Sequence, residues 1–234
     1  MKTTATEIIV LRDQKYGNSS KILKAFSKDL GKISIMVKGA LRPGSSTVSV
    51  SSVFSHSMVD LNQGKSFYYI KNSKIINSNY NLRNNYDSMI FASFLVELVD
   101  KTFFEGEKNI KVFDLLGKAL SCLGNNEKLK LILMAFELKF ISFVGYRPNL
   151  DAKGNSISFS IEQGGITDKD EIKGIRYNIS QKDVYYLNKL LYTSLDKIDF
   201  EMDDEVALRL QEIIINYLKY NLEIDNFNSL LFIN

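Results

Sequence analysis

The feature that most constrains this chain is a change of hydrophobic period near residue 80. Before it, apolar residues alternate. Ile33, Ile35 and Val37 interleave with Lys32, Ser34, Met36 and Lys38, which puts three aliphatics on one strand face and two lysines on the other. Thr6–Arg12 is rich in β-branched residues, Ser20–Ser27 follows a turn at Tyr16-Gly17-Asn18, and Val53–Leu61 places Val53, Val59 and Leu61 on one face. Asn62-Gln63-Gly64 then turns the chain into Phe67–Ile70. Five short strands at hairpin spacing, with no helix-length pattern between them, predict a small closed barrel.

After Asn79 the steps lengthen to three and four. Leu82, Tyr86, Ile90, Phe94 and Leu98 form one stripe, and Phe91, Leu95, Val99 and Phe103 an adjacent one. A face that wide fits a central helix of a bundle. Further helices are predicted over Val112–Leu123, Lys128–Val144, Ser180–Leu191 and Asp203–Leu222. Ser180 with Asp183 three residues on reads as a capping signal, and Asp203, Asp204 and Glu205 suit the positive end of a helix dipole. Residues 146–179 carry glycines and short strand-like runs, and read as a β-hairpin-like insertion. The expected fold is therefore α+β with two domains: a barrel over 1–80 and a helical domain over 81–234 with an insertion at 146–179.

Charge is divided the same way. Residues 1–80 hold 12 Lys and Arg against four acids, whereas residues 81–234 hold 18 bases and 23 acids. A basic front suits a polyanion. The longest apolar run, Leu131–Phe136, is cut by Glu137, so no membrane span is expected, and MKTTATEIIV lacks the apolar core of a signal peptide. A cytoplasmic, nucleoid-associated protein is the expectation.

Catalytic patterns are weak. Gly64-Lys65-Ser66 resembles the end of a phosphate-binding loop, but Val59 stands where that motif needs glycine. His56 is the sole histidine and is expected on one face of a strand. Asp203, Asp204 and Glu205 are consecutive on a helix and point in different directions, so capping accounts for them better than a metal does. Cys122 is the sole cysteine, which excludes an internal disulfide, and it is expected as a buried structural thiol. No enzyme is expected.

What remains is a basic barrel interleaved with rings. Lysines can track phosphates while aromatic side chains stack on bases. The candidate DNA-binding residues are Arg12, Lys15, Tyr16, Lys21, Lys24, Lys38, Arg42, Lys65, Tyr68 and Lys71, with Lys38–Ser46 as a phosphate-contact loop. Phe26 and Phe67 are assigned to the core. The competing classes are a regulatory scaffold whose barrel binds protein and a nucleic-acid enzyme with an unrecognised site.

Several segments resemble the RecO family of bacterial DNA repair proteins. They are IIVLRDQKYGNSSKILKAFSKDLGKISIMVKGALRPGSS, FASFLVELVDKTFFEGEKNIKVFDLL, FELKFISFVGYRPNLD, FSIEQGG and IIINYLKYNLEIDNFNSLLFI, in the family's order and across nearly the whole chain. The resemblance implies an N-terminal OB-fold, a helical C-terminal domain, binding of single- and double-stranded DNA, and annealing of complementary strands. It further implies partnership with RecR and with single-stranded DNA-binding protein (SSB) through the acidic C-terminal tail of SSB, and more indirectly with RecF and RecA. Many such proteins carry a four-cysteine zinc module in the insertion. Here Asp151 leads into Ala152-Lys153-Gly154, and Gly164-Gly165 into residues 166–170, with no cysteine pair in either place. No cofactor is therefore expected, and Asp168 and Asp170 are too few to replace the missing ligands. The hairpin is expected to be held by Ile157, Phe159 and Ile161 instead.

Overall fold

The computed structural model describes residues 3–42, 45, 47–151, 157–167 and 174–232. Pro43, Gly44 and Ser46 of the basic loop, and Ala152, Lys153, Gly154, Asp168 and Asp170 of the insertion, lie outside them. Two compact units form: residues 1–126 with 227–234, and residues 127–226.

The first unit opens with strands β1 (Thr3–Tyr16), β2 (Ser20–Ser27), β3 (Gly31–Val37), β4 (His56–Gln63) and β5 (Tyr68–Asn77). They close in the order β1-β2-β3-β5-β4, with every pair antiparallel except β3 and β5. This is the five-stranded arrangement of an OB-fold. Ile8, Val10, Leu23, Ala25, Ile33, Ile35, Val37, Val59 and Leu61 fill the interior. The predicted fourth strand starts later than expected: Val53 lies in a turn and β4 begins at His56.

A register shift between Val10 and Arg12 has a large effect on β1. Val10 faces Ala25, but Arg12 faces Lys24, so Leu11 is an extra residue in the ladder. A one-residue bulge exchanges the two faces of a strand. Ile8 and Val10 point inward before it. After it Arg12, Gln14 and Tyr16 point outward, opposite Lys24, Ile22 and Ser20.

The outer face of β3 is not the open lysine-bearing face that its alternation predicts. Ser34 and Met36 are buried, and the N–H of Lys32 donates to the Glu107 carbonyl while its own carbonyl accepts from Gly106 N–H. The segment after α1 (Tyr86–Thr102) thus occupies the free edge of β3. α1 and α2 (Ile110–Leu123) belong to the same compact unit as the barrel. Phe26 is core, as expected, but on the barrel's outer side. Its ring lies 4.9 Å from Phe103 and 6.3 Å from Phe113, and burying a side chain of this size contributes roughly 1.5–3 kcal/mol. His56 stands at the start of β4, 2.7 Å from Glu7 and edge-on to Phe113. Cys122 is half-buried rather than buried.

The chain returns to this unit at its end. Phe227 packs edge-on against Phe94, with ring centroids 5.2 Å apart. Glu97 accepts from the backbone N–H groups of Asn228 and Ser229 and from the Ser229 hydroxyl. Burial alone pushes the Glu97 carboxyl up, but these bonds and Lys101 together hold it below its usual range.

The second unit holds α3 (Leu129–Phe143), β6 (Ile157–Ser160), β7 (Gly165–Thr167), β8 (Arg176–Ile179), α4 (Gln181–Tyr192) and α5 (Asp204–Leu222). The insertion is a three-stranded antiparallel sheet in the order β7-β6-β8, one strand more than a hairpin. Ile157, Phe159 and Ile161 are buried as expected, with Phe159 edge-on to Tyr217 at 5.5 Å. The capping box of Ser180 and Asp183 forms at the start of α4. Asp203 takes the N-cap position of α5, but its side chain makes no capping bond there and pairs with Lys182 instead. Glu137 is fully buried on α3, and both its oxygens accept from the Gln211 amide on α5. Burial pushes its carboxyl up to about 8, so at neutral pH it sits in the core largely protonated.

Candidate nucleic-acid interface

The outer face of β1–β2–β3 is divided in two. One half carries cations already matched by acids from the helical part of the same unit. Arg12 donates to Asp100 at 2.7 Å, and Lys32 pairs with the same carboxylate at 3.1 Å. Lys24 bonds Glu105 at 2.8 Å and the Ser34 hydroxyl at 2.6 Å. Lys28 bonds Asp114 at 2.9 Å. Burial pushes Glu105 up, but the bonds from Lys24 and Ser34 outweigh it and hold the carboxyl below its usual range.

The other half is open. There the β1–β2 turn, the start of the loop after β3 and the β4–β5 turn converge on a groove of about 420 Å³. Tyr16, Met36, Lys38, Arg42, Phe67 and Tyr69 line it together with Ser19, Ser20 and Gly39. A second hollow of about 470 Å³ adjoins it, lined by Lys38, Asn62, Gly64, Lys65 and Tyr69. Among the described residues, no acidic side chain lines either one. Local backbone chemistry holds the loops in place. The Leu41 N–H donates to the Ser19 carbonyl, tying the β3 loop to the β1–β2 turn, and Gly64 N–H closes the β4–β5 turn on the Phe67 carbonyl at 2.9 Å. A Cβ at Gly64 would sit 2.6 Å from the Tyr69 ring, so glycine is what allows that ring to lie on the turn. Lys38 Nζ stands 5.6 Å over the same ring.

Of the ten candidate residues, Tyr16, Lys38, Arg42 and Lys65 are brought together here. Lys15 and Lys71 are exposed and have no acidic partner among the described residues. Lys71 is the unpaired residue of a β5 bulge, because Asp60 faces Asn72 while Leu61 faces Ile70. Arg12 and Lys24 are held in ion pairs, and Lys21 pairs with Asp13 at 2.5 Å. Tyr68 points the wrong way for a role in the groove. It is opposite Ile35 and packs against the barrel core, whereas Tyr69, opposite Met36, faces out. Phe67, expected in the core, lines the groove. The alternation of β5 could have selected Tyr69 once its register with β3 was known. The sequence alone carries no such register.

An OB-fold presents its β2–β3 face and its β1–β2 and β4–β5 loops to oligonucleotides, and the open groove occupies that position. Comparison with known proteins agrees with the architecture. Residues 1–79 match the model of the Recombination protein O N terminal family, and residues 83–231 that of Recombination protein O C terminal. The DNA repair protein RecO of Alkaliphilus metalliredigens (strain QYMF) is 32% identical over 236 residues, covering 96% of each chain. The chain belongs to the RecO family. The RecO proteins of Acetivibrio thermocellus and Caldanaerobacter subterraneus subsp. tengcongensis are 27% and 28% identical, and the matches cover 100% and 96% of this chain and 97% and 95% of theirs. The zinc module found in many RecO proteins does not fit this chain. It has one cysteine, too few for a four-cysteine site. No described helix is long and apolar enough to cross a membrane.

Proposed function

We propose that this RecO-family chain is a non-enzymatic mediator of recombinational repair. In this reading it binds single- and double-stranded DNA through the barrel and anneals complementary strands. With RecR it helps RecA load on DNA coated by SSB, with RecF as an indirect partner. The observation that carries the reading is the meeting of Lys38, Arg42 and Lys65 with Tyr16, Phe67 and Tyr69 in a groove that no acid lines among the described residues. Cations there neutralise phosphates and release counterions, which favours any strand regardless of sequence. Annealing follows if a basic surface lowers the repulsion between two strands held close together.

Partner docking is assigned to the helical part of the chain, with the acidic tail of SSB as the segment recognised. SSB lacking that tail should bind less well than the full-length protein, and equal binding would remove the assignment. The purified protein is expected to carry no stoichiometric zinc, which elemental analysis checks directly. The experiment for the function as a whole is a titration of single- and double-stranded DNA with and without magnesium, followed by an annealing assay with labelled complementary strands. Salt-sensitive binding with annealing and no turnover is expected. Cleavage that depends on magnesium would instead favour a nuclease, and absence of DNA binding a protein scaffold.

A further inference from the structure

The groove's cations and rings differ in what they can distinguish, and so does its shape. Phosphates are presented by single strands and duplexes alike, so Lys38, Arg42 and Lys65 serve both. A base offers its face to a side chain only when it is unstacked from its neighbours, which is the condition of a single strand. Tyr16 stands 54% exposed at the end of β1, turned outward by the Leu11 bulge. Tyr69, at the start of β5, and Phe67 line the same groove. Lys38 over the Tyr69 ring keeps a cation next to the stacking surface.

The face is also short. Asp100 and Glu105 occupy it at the level of Arg12 and Lys24, and Tyr16 and Ser20 mark its open end four residues farther along each strand. Four residues of strand span about 13 Å, so the open part of the face has room for only a short stretch of a strand.

Resting on the DNA-binding reading above, we infer that Tyr16, Phe67 and Tyr69 form a short base-stacking slot that makes the groove prefer single-stranded DNA, while the neighbouring cations contribute equally to both forms. The rings are thus specificity determinants and the cations are not.

The test uses the full chain. Binding of a labelled short oligothymidine and of a duplex of equal length is measured for the parent, Tyr16→Ala/Tyr69→Ala, Tyr69→Phe and Lys38→Ala/Arg42→Ala, with circular dichroism to confirm folding. The double tyrosine variant should lose roughly ten- to a hundredfold in single-strand affinity and change duplex affinity less than about twofold. Tyr69→Phe should match the parent, because a ring remains. The chain contains no tryptophan, so Tyr69→Trp provides a single reporter. Its emission should be quenched by oligothymidine and not by duplex. Equal losses for both DNA forms in the tyrosine variant, or no quenching of the reporter, would overturn the inference. A folded Lys38→Ala/Arg42→Ala variant that binds both forms like the parent would instead show that DNA lies elsewhere, and the underlying reading would fail with it.

Discussion

Two parts of one barrel face use the same residue types for opposite ends. At the helix-covered end, Arg12, Lys24 and Lys32 meet Asp100 and Glu105, and Lys28 meets Asp114 close by. At the loop end, Lys38, Arg42 and Lys65 share a groove with Tyr16, Phe67 and Tyr69, and no acidic side chain among the described residues lines it. The first set fastens the segments after β5 to the barrel. The second set leaves its charge available to a ligand. A lysine's value for binding a polyanion thus depends less on its own strand than on whether another part of the chain has already neutralised it.

The covered end is the more sensitive to disruption. Gly31 has φ near +71°, and a Cβ there would lie 2.2 Å from the Glu107 carbonyl oxygen. Gly31→Ala should therefore cost at least about 2–3 kcal/mol by strain and by displacing the 105–107 segment, read as a fall in denaturant midpoint. A near-neutral result would mean that this segment does not hold the face closed.

Removing a masking acid sharpens the comparison. Asp100→Ala leaves the mostly buried Lys32 without its carboxylate and frees Arg12. Stability should fall by about 1–3 kcal/mol, yet DNA affinity should hold or rise, and its salt dependence should steepen by up to about 0.7 in log–log slope for single strands. Weaker DNA binding in a folded protein would count against masking.

A smaller effect is expected from acid. Glu105 titrates below its ordinary value in the folded protein, so its pairing with Lys24 stabilises above the unfolded value and is lost as pH falls through the folded one. The parent should lose more stability than Glu105→Gln between about pH 5 and pH 3, with the two curves running parallel above that window. Thermal melts across the range check this, and parallel curves throughout would show that the pairing contributes nothing.

Much of the architecture was legible in the sequence because it rests on local periods. The strands β2 and β3, the helices and the capping box at Ser180 follow from alternation, stripes and side-chain chemistry. Three features of the site were not legible, each for a physical reason. Tyr16 is a candidate from the sequence, but its outward orientation depends on the Leu11 bulge, which nothing in IIVLRDQKY marks. Tyr69 rather than Tyr68 faces the groove because β5 meets β3 in a register set by a parallel pairing between distant segments. The masking of Arg12, Lys24 and Lys32 depends on acids roughly 70 to 90 residues away, and the count of basic residues in the first 80 could not separate masked cations from available ones.

The most direct test of this division compares the salt dependence of single-stranded DNA affinity for two folded double variants, Lys38→Ala/Arg42→Ala and Arg12→Ala/Lys24→Ala. The groove variant should bind more weakly at every salt concentration, with a slope flatter by about 0.7 for each phosphate it no longer neutralises. The masked-pair variant should keep the parental slope. Equal flattening in both, or flattening only in the Arg12/Lys24 variant, would contradict the account.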